Sequence, residues 1–339
     1  IELFDHAGSW VLYALGTNYS TTQNTIHALK WIDVQPPVDL SPSQGSLIDH
    51  DFVSTAGAHV SAVVVRDWVD PAATTTTHDR LLVQAFDSTH AIPAQATVLS
   101  KPLKTISNLH LIELASHKAV LLWQESQQNL FATQSSSVKA SVFDPATFQW
   151  SPVATATVDL RPIISLGQVA EGGSGTGQGG TTVLMDASFS CPSCFVPLTG
   201  LLSFDASSNI FTVESAAVSE GSPAMAAAQM GNGSTAWVFT PESANFEPRV
   251  FVRSSAGVWS AGASLSTTNV LAGTRLQIVP YRVSPELGPQ AALIFNAPTQ
   301  IAGRSALSLQ RLSVEAGGIT VGPQVPLRSE EHTSELQSH

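Results

Sequence analysis

Residues 142–156, VFDPATFQWSPVATA, carry the reading that decides the fold. Val142 and Phe143 close an apolar run, Asp144-Pro145 signals a tight turn, and Trp150 opens a further short run six residues after Asp144. An Asp side chain can accept a hydrogen bond from the backbone two residues on, which closes such a turn without any ligand. Outward from here the same arrangement recurs. Asp33, Asp87, Asp144 and Asp205 follow the apolar anchors Ile32, Phe86, Phe143 and Phe204, and Val252 and Leu312 mark two further units. Successive anchors are 54, 57, 61, 48 and 60 residues apart, and a fourth run begins beyond each, at Val38, Ile92, Trp150, Phe211, Trp259 and Ile319.

The run before each anchor is equally regular. It reads SWVLYALG from Ser9, VSAVVVRD from Val60, KAVLLWQE from Lys118, TTVLMDAS from Thr181, TAWVFTPE from Thr235 and AALIFNAP from Ala291. Short β-rich runs separated by Gly, Pro, Ser, Asn and Asp clusters, with almost no helical period, predict strands joined by turns. Four runs per unit and six units predict an all-β fold, a six-bladed β-propeller of four-stranded antiparallel blades. The blades are expected at about 1–45, 46–101, 102–159, 160–218, 219–270 and 271–327, forming a single propeller domain. A seven- or eight-bladed ring, truncated, is the other architecture the pattern allows. One such unit cannot cover both of its apolar faces, so neighbours must.

Phe143, Asp144, Pro145 and Trp150 stand at matching positions of the kelch repeat, and Phe204, Asp205 and Phe211 match it in part. The chain resembles kelch proteins in blade layout, which implies a propeller. The glycine doublet that ends the second strand of kelch units has no counterpart here.

Composition narrows the function. The chain carries 15 Lys+Arg against 26 Asp+Glu, a formal charge of −11. That balance excludes a nucleic-acid-binding surface, which needs concentrated Lys and Arg. With 12% charged and 43% hydrophobic residues the chain is not disordered. No run approaches the ~20 apolar residues of a membrane-spanning helix. Residues 328–339 (RSEEHTSELQSH) break the pattern and resemble a translated sequencing adapter; they are expected to be an artefactual or disordered tail on a fragment. Few lysines and much Ser, Thr, Ala and Gly point to an extracellular or periplasmic protein, and a monomer is expected.

Candidate chemistry gathers at the end of the second run, where Asp67, Glu125, Asp186, Glu242 and Asn296 align. Carboxylates repeated on one loop face attract cations, basic groups or sugar hydroxyls. Trp68, inside the long loop RDWVDPAATTTTHDR (66–80), suits stacking on a sugar. The alternative is a decorated surface hairpin. The remaining tryptophans fall within runs and are expected in the core. Eight of the ten histidines lie within the first 117 residues without close ligand spacing, so no metal and no cofactor is implied. Cys191 and Cys194 form a single CPSC, half a zinc site, and a local disulfide is expected in an exported protein. Gly175, Gly177 and Gly180 fit GxGxxG, but an apolar strand run follows where a dinucleotide site needs a helix. Asn18-Tyr19-Ser20 and Asn232-Gly233-Ser234 are glycosylation sequons.

Two functions remain: a non-catalytic propeller that binds a glycan or protein ligand on its acidic loop face, or a polysaccharide-acting enzyme, glycosidase or lyase, using paired carboxylates.

Overall fold

The computed structural model of the protein describes the strands given below together with residues 57, 101–102, 114, 116–118, 145–148, 151–153, 156, 181, 206–209, 234, 254 and 258–260. Blade 1 is β1 (Glu2–His6), β2 (Ser9–Asn18), β3 (Gln23–Lys30) and β4 (Val38–Asp39). Blade 2 is β5 (Ser46–Thr55), β6 (Ala58–Val69), β7 (Thr77–Phe86) and β8 (Thr97–Ser100). Blade 3 is β9 (Thr105–Glu113), β10 (Ala119–Gln127), β11 (Ser135–Asp144), and β12 (Gln149–Trp150) with β13 (Ala154–Thr155). Blade 4 is β14 (Ile163–Gly172), β15 (Thr182–Phe189), β16 (Leu198–Asp205) and β17 (Ile210–Glu220). Blade 5 is β18 (Ala224–Gln229), β19 (Thr235–Thr240), β20 (Arg249–Arg253) and β21 (Ala263–Ser264). Blade 6 is β22 (Leu276–Tyr281), β23 (Gln290–Pro298), β24 (Ser305–Glu315) and β25 (Gly318–Pro326).

Each blade is a meander in chain order, and β12 and β13 are two pieces of one fourth strand alongside β11. The protein is therefore all-β, a six-bladed β-propeller in its sheet pattern. By compactness the chain divides into two units, one of Ile1–Val158 with Pro162–Ile164 and one of Asp159–Arg161 with Ser165–His339. Blades 1–3 fall in the first unit; blades 4–6 fall in the second, apart from the first two residues of β14.

The turn that opened the sequence reading is built as its residues require. Asp144 Oδ1 accepts the Ala146 amide at 3.0 Å, and its carbonyl accepts Phe148 N–H at 2.8 Å. Asp205 repeats this, its Oδ1 accepting Ser207 N–H at 2.9 Å and its carbonyl Asn209 N–H at 2.8 Å. Both turns close through a left-handed residue, Phe148 at φ 55° and Asn209 at φ 60°. Asn adopts that conformation at low cost because its short polar side chain bonds locally. Phe148 is held there by stacking edge-on against Phe143, with ring centroids 5.6 Å apart. Across the same turns Phe143 pairs with Trp150 and Phe204 with Phe211, at 5.3 and 4.8 Å between centroids. Asp33 and Asp87 lie outside the described residues.

Alternate residues of the strands feed two apolar clusters. In the first unit, Val60, Ala62, Val64, Leu81 and Val83 of blade 2 meet Ile106, Leu109, Leu111, Leu121 and Trp123 of blade 3. In the second unit, Val238, Val250 and Val252 of blade 5 meet Leu293, Phe295 and Leu312 of blade 6. Each large side chain so buried contributes about 1.5–3 kcal/mol of transfer free energy.

Carboxylates reinforce the blade 2–blade 3 seam. The edge of β9 away from β10 has no partner strand in its own sheet, so alternate amides there need another acceptor. Asp49 and Asp51 of β5 supply it: their Oδ2 atoms accept Leu109 N–H at 3.3 Å and Leu111 N–H at 2.7 Å. Both bonds span 60 residues, so β5 and β9 run in the same direction in fixed register. Asp79 of β7 takes the Ile106 amide at 2.7 Å. The switch from even to odd residues happens at a bulge, where Asn108 sits at φ 54° and donates its Nδ2 to Gln124 Oε1 at 2.7 Å.

Candidate functional site

Four of the five aligned candidate positions, Asp67, Glu125, Asp186 and Asn296, lie within strands, not at the start of loops. Asp67 lies in β6, where the ladder to β7 shifts register between Arg66 and Trp68. Glu125 is opposite Ser137, Asp186 opposite Leu201 and Asn296 opposite Leu307. In each case the second strand continues, to Val69, Gln127, Phe189 and Pro298. The loop read from composition as 66–80 is correspondingly shorter, because Trp68 pairs with His78 and Val69 with Thr77. A charged residue ends an apolar run but not a ladder, whose bonds are made by the backbone.

All four of these positions sit in the half of the second strand nearest the turn into the third. Asp67, Trp68, Asp186 and Asn296 are described through their backbones only, while Glu242, Cys191 and Cys194 lie outside the described residues, as does the glycine-rich stretch before β15.

Glu125 is the member whose side-chain surroundings are described. Its side chain is 17% exposed, and its Oε1 accepts the Trp123 indole N–H at 3.0 Å and the Ser100 hydroxyl at 2.5 Å. Trp123 and Glu125 share a face of β10, as residues two apart in a strand must. Ser100 comes from β8, so Glu125 joins blade 3 to blade 2. Its Oε2 is 3.7 Å from Lys139 Nζ, and that ammonium donates to Thr155 Oγ1 at 2.9 Å. Trp123 has no exposed surface and cannot turn away. The result is a carboxylate fixed through one oxygen, with the other facing a cation.

A second polar group, not expected from the sequence, is the seam itself. Asp79 is fully buried and carries Arg66, whose Nε and Nη2 donate to its two oxygens at 2.8 and 3.3 Å. This hydrogen-bonded pairing raises the Arg66 guanidinium above its ordinary range. Burial pushes the Asp51 carboxyl upward, against the amides of Leu111 and Phe52 that favour its charged form. His110, on β9, is pushed downward by burial, partly offset by Asp49. Burial thus displaces an acid and a base in opposite directions on neighbouring strands. The signal in the sequence was Asp-His-Asp at 49–51, two carboxylates on one face of a strand. Among the described residues no group of three or more His, Cys, Asp or Glu is arranged to hold a metal ion, and no helix is long and apolar enough to cross a membrane.

No family model matches the chain, and no curated protein matches it. Among solved structures it is similar to a polysaccharide lyase, an ulvan lyase, with a TM-score of 0.51 at 9% identity, over 95% of this chain and 82% of that one. It is also similar to an α-L-arabinanase of Penicillium chrysogenum, with a TM-score of 0.45 at 10% identity over 91% of each chain. A fucose-recognising lectin of Aleuria aurantia, a six-bladed β-propeller, gives 0.38 at 13% identity over 97% and 96%. At such identities what is shared with the lyase, whose score of 0.51 is the highest of these three, is the fold.

Proposed function

We propose that the chain is a non-catalytic, extracellular carbohydrate-binding propeller of kelch-like blade layout. Its glycan-binding residues are Asp67, Trp68 and Glu125 in the first unit and Asp186, Glu242 and Asn296 in the second, each unit taken by itself. The observation that carries this reading is Glu125, a carboxylate pre-positioned by Trp123 and Ser100 at the second-strand position that other blades fill with Asp, Glu or Asn. A fixed acceptor binds sugar hydroxyls without the cost of ordering a mobile side chain. The comparisons support this reading only in that the ulvan lyase of similar fold acts on a polysaccharide.

A glycan-array screen of the intact chain tests it, beside the isosteric variant D67N/E125Q/D186N/E242Q with unchanged melting temperature. Binding lost in the variant supports these positions; binding retained in full refutes them. A polysaccharide-acting enzyme, glycosidase or lyase, using paired carboxylates is the alternative. New reducing ends or an unsaturated uronate chromophore, appearing when the chain is incubated with the sugar it binds, would establish that reading instead.

A further inference from the structure

The Glu125 carboxylate has two unequal oxygens. Oε1 is occupied by Trp123 and Ser100. Oε2 faces the Lys139 ammonium at 3.7 Å, beyond hydrogen-bond length, because Nζ is drawn to Thr155 Oγ1 at 2.9 Å. The carboxylate therefore meets a positive charge without receiving a hydrogen bond from it. Both side chains are mostly withdrawn from water, Glu125 at 17% and Lys139 at 21% exposure. A charge pair so placed is screened less than one on an open surface.

We propose that this subsite takes the protonated amine of an amino sugar, and that Lys139 occupies the ligand's place until the ligand displaces it. The proposal rests on the carbohydrate-binding reading and names its substrate class. A ligand ammonium reaching Oε2 would form the charge-assisted bond, about 2.8 Å long, that Lys139 does not make. A neutral sugar offers Oε2 only a hydroxyl, without charge–charge attraction, and an anionic sugar meets repulsion from Glu125 and from a chain of net charge −11. The same net charge enriches cations around the protein.

The test compares glucosamine tetramer with N-acetylglucosamine tetramer by calorimetric titration against the intact chain. The two probes share a backbone and differ in the charged amine. The amino oligomer is expected to bind at least tenfold tighter. E125Q should remove about tenfold of that affinity, the weight of one charge-assisted bond, and weaken the acetylated oligomer, which loses only a hydroxyl acceptor, by less. E113Q removes one exposed carboxylate elsewhere on blade 3 and should change neither. K139M should strengthen binding of the amino oligomer several-fold, because the competing ammonium is gone. It also carries the test if E125Q misfolds.

Equal affinity for both tetramers overturns the amine assignment while the glycan reading stands. An equal loss in E113Q and E125Q overturns it too, as general attraction of a cation to an acidic protein. No gain in K139M removes the displacement by Lys139. If neither tetramer binds while other glycans do, this inference fails alone; if no glycan binds at all, the carbohydrate reading fails with it.

Discussion

Replacing Asp79 tests the seam between blades 2 and 3 most directly. Its carboxylate is fully buried, accepts the Ile106 amide at 2.7 Å, and pairs with Arg66, which is 38% exposed. Asp79→Ala leaves the buried amide without an acceptor, a loss of about 1–3 kcal/mol. It also releases Arg66, but that guanidinium can be solvated, so the ion pair adds about 1 kcal/mol or less. The expected total is about 3 kcal/mol. Asp79→Asn keeps an oxygen for Ile106 and should cost about 1 kcal/mol. Arg66→Met instead leaves a buried carboxylate short of its cation and should cost about 3 kcal/mol. Urea unfolding followed by tryptophan fluorescence gives the differences, provided the slope is unchanged between variants. Amide exchange at Ile106 supplies a local readout. Identical costs for the Ala and Asn variants, or costs below about 0.5 kcal/mol for both, would refute the reasoning that the amide needs this acceptor.

Asn209 sits at φ 60°, so Asn209→Ala should cost about 1 kcal/mol while Asn209→Gly stays near neutral, read from thermal melts. The Asp144 carboxyl is held below its ordinary value first by the Lys118 ammonium at 2.8 Å. Its contribution is therefore present above the unfolded value of about 3.9 and lost as pH falls through the lower folded value. The stability difference between Asp144→Asn and the parent should shrink over that interval in urea titrations at stepped pH. His110 is lowered by burial, so the unfolded chain takes its proton first, and stability contributed by the neutral ring declines as pH falls below about 6.5. His110→Gln should flatten that decline between about pH 6.5 and 5, while the raised Asp51 works in the opposite direction, gaining stability as it protonates.

The second strands were legible because their β-rich runs and turn residues are local signals. Each of the six second runs read from sequence falls on β2, β6, β10, β15, β19 or β23 to within two residues at its start, whereas the fourth run read from Ile92 begins outside the described residues. The Asp turns were legible for the same reason, since the acceptor and donor lie two residues apart at Asp144 and Asp205. The seam was not legible. Asp49 and Asp51 find their donors 60 residues away, and the bulge at Asn108 changes which amides are open. Lys139 was equally hidden beside Glu125, because the hairpin that brings them together has a register no periodicity fixes. Trp123 and Glu125, two apart on one strand, could have been read as neighbours.

The Asp49–Leu109 and Asp51–Leu111 bonds have a consequence for anyone recombining this chain. Two teeth at the two-residue strand repeat work as a key, and slipping by one residue turns both carboxylates to the opposite face. Blade 2 therefore carries the alignment code for blade 3. A chimera that exchanges one of them for a repeat lacking Asp-x-Asp would be assembled from modules with mismatched keys. Residues 46–156, moved as a single cassette, keep lock and key together.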